Sequence, residues 1–125
     1  MRFLRQPALR VGHAGSLARS EGIRNAYRLG GISSVIDEIK ACYGKFQRKP
    51  DLADLAYCGA MDILGGNLDA MMSQGNPKLA QKYFDRGRAT DKRIVAGMKK
   101  LGLNKQQRDA FEKELATALG ATLRD

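Results

Sequence analysis

The sequence predicts an all-α protein, a small bundle of about four to five helices built on a helical hairpin over residues 33–72. Three observations carry that expectation. Apolar residues recur at spacings of three and four along most of the chain from residue 32 onward. Proline, glycine and asparagine fall between those runs, where helices stop and restart. No stretch shows the strict alternation of a half-buried strand. Helices that each carry an apolar face must cover one another, which makes a bundle the natural architecture.

The chain divides by composition into a basic arm, residues 1–31, and one helical domain, residues 32–125. The arm contains Arg2, Arg5, Arg10, Arg19, Arg24 and Arg28 against a single acid, Glu21, and has no lysine. With Phe3, Leu4, Leu9, Val11 and Leu17 scattered among the arginines, it has the pattern of a mitochondrial-type targeting segment. The same residues also read as a plain basic arm. A short helix over residues 20–29 would place Ile23, Ala26 and Tyr27 together, with Gly30 and Gly31 ending it.

In the hairpin, Ile32, Val35, Ile36, Ile39, Cys42, Tyr43 and Phe46 form one apolar face before the turn. After it, Leu52, Leu55, Ala56, Gly59 and Ile63 repeat the spacing, and Tyr57, Met61, Leu64 and Leu68 add a second apolar face, so this helix is expected to be buried. Pro50 cannot continue the first helix, and Asp51 supplies a side-chain oxygen to cap the second. Cys42 lies eight residues before Pro50 and Cys58 eight after it, so an antiparallel pair brings the two sulfurs to similar heights. A disulfide is the favoured reading, closing a loop of about 15 residues and contributing roughly 3 kcal/mol. The other reading is two reduced cysteines packed as small hydrophobes. Two cysteines without further ligands do not make a structural zinc site, and no cofactor is implied.

Asp62 is the one charged residue in the apolar run 55–64. A carboxylate there must be paired, hydrogen-bonded or protonated. A salt bridge to an arginine from another element, or exposure at the helix edge, is the structural expectation, and a ligand-facing or acid–base carboxylate is the functional one. Gly65 and Gly66 predict a kink or a close helix crossing. Met61, Met71, Met72 and Met98 fit either core filling or an adaptable groove.

Beyond the hairpin, Asn76 and Pro77 predict the start of a third helix with Leu79, Ala80, Tyr83 and Phe84 on its apolar face, ending at Gly87. A fourth helix over about residues 90–101 packs through Ile94, Val95, Met98 and Leu101, with Gly102 just past its end. Asn104 and Gln107 have the spacing of a capping box, opening a fifth helix that presents Phe111, Leu115, Ala118, Leu119 and Thr122.

The formal charge of +9 favours anionic partners. Most of the excess lies between residues 77 and 109, with ten basic residues against three acidic ones. Lys78, Lys82, Arg86, Arg88, Lys92, Arg93, Lys99 and Lys100 are therefore the candidate partner-binding residues, with Lys78, Lys82 and Arg86 on one face if the third helix forms. They suit an acidic protein surface or nucleic acid; a solvated lysine-rich face is the alternative. Tryptophan is absent, so no stacking platform for single strands is evident.

Catalysis has little support. His13 is the only histidine and has no nucleophile placed beside it by the sequence, and no catalytic residue is nominated. Glycine-rich phosphate loops are missing, and no stretch approaches the roughly 20 apolar residues of a membrane span. The expectation is a non-enzymatic basic helical interaction module that docks an anionic macromolecule. The alternative is a disulfide-stapled structural or accessory subunit, or an exported helical protein, that docks through apolar residues such as Leu68, Met71 and Met72. A disulfide would place the chain in an oxidising compartment, exported, periplasmic or mitochondrial intermembrane, in preference to the cytosol.

Overall fold

The computed structural model describes the backbone of residues 12–124 and the side chains of Ile23, residues 25–28 and residues 30–120. The architecture over these residues is all-α, with helices α1 (Gly12–Arg48), α2 (Leu52–Ser73), α3 (Arg88–Lys100) and α4 (Lys105–Arg124), and a 3₁₀ turn at Asp85–Gly87 before α3. Residues 1–11 of the basic arm and the side chains of His13 and Thr122 lie outside the described residues.

The hairpin forms where the sequence places it. α1 ends before Pro50, and the Asp51 carboxylate accepts the Asp54 backbone N–H at 3.2 Å, capping α2. The two helices run antiparallel, so Cys42 faces Cys58 and the pair is joined in a disulfide with Cα atoms 5.6 Å apart. Further along the seam, Val35 and Ile39 lie against Gly65, where a Cβ would meet Ile39 at 2.8 Å, Phe84 at 3.1 Å and Val35 at 3.2 Å. Gly65 thus marks a close crossing, while Gly66 faces Phe84; α2 continues as helix through both to Ser73.

The core is continuous. Val35, Ile39, Phe46, Leu55, Cys58, Ala60, Met98 and Phe111 have no exposed surface, and α2 buries residues on both of its apolar faces, with Tyr57 left partly exposed. Ile94 of α3 and Leu115 of α4 both approach α2 at Gly59. α1 breaks at Gly31, which takes φ 71°, a left-handed value open to glycine. Residues 20–29 are part of α1, and Ile23 and Ala26 from this stretch are buried in the same core.

The last two helices are joined by local chemistry that the sequence announces. At the end of α3, Gly102 N–H donates to the Lys99 carbonyl and Leu103 N–H to the Met98 carbonyl, a Schellman motif in which buried Leu103 packs beside Met98. Asn104 and Gln107 then exchange both arms of the capping box at 2.8 Å each.

The third predicted helix does not form. Asn76 does nucleate a turn, its side chain accepting the Lys78 N–H and its carbonyl the N–H groups of Leu79 and Ala80. One residue later the pattern stops, because the Gln81 N–H turns to the carboxylate of Asp69 on α2 instead of to a carbonyl four residues back. Phe84 is drawn into the core while Leu79, expected on the same apolar face, remains 64% exposed. Asp85 and Arg86 then take left-handed φ values of 45° and 56°. A tertiary contact outweighs the local signal.

Candidate functional site

The segment 74–87 and α3 carry the eight cations that the sequence nominates, and the fold sorts them into two kinds. Lys78, Lys82, Arg86, Arg88, Lys92, Lys99 and Lys100 are exposed. Arg93 is not a surface cation; it is turned inward and spent on structure. The premise that Lys78, Lys82 and Arg86 share a helix face also fails, since the segment is not helical. What brings Lys82, Arg86 and Arg88 together is the turn at residues 85–87, which leaves all three lining one shallow depression of about 370 Å³ with Asp85. Arg88 is partly neutralised there by its 2.8 Å ion pair with Asp85, whose hydrogen bond from Arg88 holds that carboxyl below the usual range. At the far end of α3, Lys100 Nζ donates to Gln47 Oε1 of α1 at 2.7 Å.

Beneath this surface lies the group that fixes it. Asp62, with no exposed surface, receives Arg93 Nε on Oδ2 at 2.7 Å and Arg93 Nη2 on Oδ1 at 2.8 Å, a two-pronged pair. The Thr90 hydroxyl donates to Oδ1 at 2.7 Å and the Tyr43 hydroxyl to Oδ2 at 2.8 Å. Arg93 uses its remaining nitrogen, Nη1, on the Tyr83 carbonyl, and its guanidinium stacks 3.8 Å from the Tyr83 ring centroid. α1, α2 and α3 therefore meet at one carboxylate, and Arg93 links the 74–87 segment to it.

The electrostatics follow from that packing. Burial pushes the Tyr43 phenol well above the ordinary tyrosine value, and the adjoining Asp62 charge and hydrogen bond push it further. Burial alone would lower Arg93, but the hydrogen bonds and charge of Asp62 outweigh it and hold the guanidinium above its usual value. Tyr83 is raised too, by burial first, against the lowering effect of Arg93. Of the two sequence expectations for Asp62, the salt bridge to an arginine from another element is the one observed. Four donors occupy its oxygens, so this carboxylate has no free position for acid–base work.

The partner of Asp62 was not identifiable from the sequence. Tyr43 at least stands on the α1 face that the apolar spacing defines. Met61 and Met98 are core, whereas Met71 and Met72 are 72% and 54% exposed, so the four methionines do not form a common groove. Among the described residues no group of three or more His, Cys, Asp or Glu side chains is placed to hold a metal ion, and no helix is long and apolar enough to cross a membrane. Comparisons of the chain with protein-family models, with curated proteins and with solved structures yield no match.

Proposed function

We propose that this protein is a disulfide-fastened helical binding module that docks an acidic protein surface through Lys78, Lys82, Arg86, Arg88 and Lys92. The observation that carries the reading is the exposure of these cations, of which Lys82, Arg86 and Arg88 line one depression, with the adjoining segment held by Asp69, by buried Phe84 and, through Arg93, by Asp62. A positive patch on a rigid base steers and orients an anionic partner without spending binding energy on ordering itself. The disulfide supports an oxidising compartment, where acidic protein is a more available partner than nucleic acid.

The test is binding of a poly-glutamate peptide and, in parallel, of a mixed-sequence DNA duplex at salt from about 50 to 500 mM. The variant Lys82→Glu/Arg86→Glu/Lys92→Glu is compared with Lys45→Glu/Lys49→Glu/Lys113→Glu, which changes net charge equally at other exposed positions. Loss of peptide binding in the first variant alone, with steep salt dependence, is expected. Equal loss in both variants, or salt-insensitive binding, removes the reading, and a clear preference for the duplex replaces the partner class.

A second reading is supported by the exposure of Met71 and Met72 near the open end of the hairpin: a structural or accessory subunit docking through apolar contact. Its signature is opposite, with association strengthened by salt and lost on Met71→Glu/Met72→Glu.

A further inference from the structure

A groove of about 460 Å³ runs between the C-terminal half of α2, the 74–87 segment and the first turn of α3. This is within the range of small-molecule sites, roughly 300–1,000 Å³. Ile63, Ala70, Pro77 and Phe84 give it apolar walls, and Gly66 presents bare backbone. Three polar side chains on its lining, Asp69, Ser73 and Thr90, are more than nine-tenths buried. Two are already spent, since the Thr90 hydroxyl donates to Asp62 and the Ser73 hydroxyl to the Ala70 carbonyl.

Asp69 is different. Its two oxygens share a single donor, the Gln81 N–H, at 3.2 and 3.0 Å, although a carboxylate offers about four acceptor sites. No lysine or arginine pairs with it among the described residues. The contrast with Asp62 is direct: two carboxylates on one helix, one with a guanidinium and two hydroxyls, the other with one backbone amide. Exposed Asp91 adds a second negative charge on the lining, opposed by Arg86. The complement of a desolvated, under-donated carboxylate in an apolar groove is a cation that carries N–H donors on an apolar body. Arg86, on the lining, follows Asp85 in a left-handed conformation, which turns the chain along the edge of the groove.

We propose that this groove binds a small organic amine, an ammonium or guanidinium group on an aliphatic or aromatic body, with Asp69 accepting its N–H groups and Asp91 contributing charge at the entrance. This site adjoins the basic surface, sharing Pro77, Ala80 and Arg86 with its depression, and takes the opposite sign of ligand.

The probe is 2-phenylethylamine, titrated into the full oxidised chain and followed by backbone amide NMR, with 2-phenylethanol and 3-phenylpropanoate as neutral and anionic counterparts. The amine is expected to saturate with Kd about 1 mM, to shift the amides of Asn67, Ala70, Gln81 and Gly87, and to bind about tenfold more tightly than the alcohol. Asp69→Asn keeps an oxygen for the Gln81 N–H while removing the charge, and is expected to weaken the amine about tenfold and leave the alcohol unchanged. Should Asp69→Asn fail to fold, exposed Asp91→Asn and the groove-filling Ala70→Phe take its place, the first weakening the amine selectively and the second excluding both ligands. Equal binding of amine and alcohol, shifts mapping elsewhere, or no saturable shift in the folded protein would overturn the proposal and leave Asp69 as a clasp for Gln81 alone.

Discussion

Asp62 brings a full negative charge to a position without solvent, and the surrounding donors decide whether the fold tolerates it. Removing one member of a buried pair strands the other, at a cost of about 3–5 kcal/mol, whereas replacing both by apolar groups is often neutral. Arg93→Met is therefore expected to lower stability by about 3 kcal/mol in urea melts, and Asp62→Leu/Arg93→Met to recover most of that loss. Tyr43 adds a pH dependence. Its folded pKa lies above the ordinary tyrosine value of 10.0, so above that pH the unfolded chain gives up a proton that the folded chain keeps. Stability contributed by Tyr43 is complete below about pH 10 and declines above it, by at most about 1.4 kcal/mol per pH unit. Denaturant melts at pH 9 to 11 check this, and Tyr43→Phe is expected to flatten the decline. That Asp62 needed a partner is legible in the sequence, because it is the only charge in the run 55–64. Its partner is not, because Arg93 is one cation among eight and only the path of residues 74–87 sets Tyr83 against it.

At the level of elements, local signals were honoured wherever their atoms had no better offer. The turn at Pro50, the Schellman end of α3 and the Asn104/Gln107 box each involve residues within a few positions of one another, and each appears as the sequence reads. The helix expected after Pro77 fails because its competitor, Asp69, sits twelve residues before Gln81 and lies beyond any local pattern. Glycines show the same division. Gly44 has open space apart from the tip of Arg48 at 3.8 Å, so Gly44→Ala is expected to stabilise by about 0.5–1 kcal/mol through helix propensity. Gly65→Ala meets Ile39, Phe84 and Val35, and is expected to destabilise by about 1–3 kcal/mol despite the same propensity gain. Thermal melts of the two variants should move in opposite directions.

Over the whole molecule, the covalent link and the buried ion pair fasten different parts. The disulfide ties α1 to α2, and Asp62 ties α3 and the 74–87 segment to that hairpin. Alkylation of the native protein without reductant is expected to modify neither cysteine by mass spectrometry. Reduction is expected to lower stability by about 3 kcal/mol while leaving the helices formed at low denaturant. The two fasteners also differ in chain separation, 16 residues for the cysteines and 31 for Asp62 and Arg93. Contacts close in sequence cost less loop entropy, so we expect the hairpin to assemble in the folding transition state and the α3 clasp to close after it. The clasp would then act on the lifetime of the native state and not on how fast it is reached. Arg93→Met should unfold about a hundredfold faster in stopped-flow experiments and refold within about twofold of the parent rate. A slowed refolding limb would place the clasp in the nucleus instead.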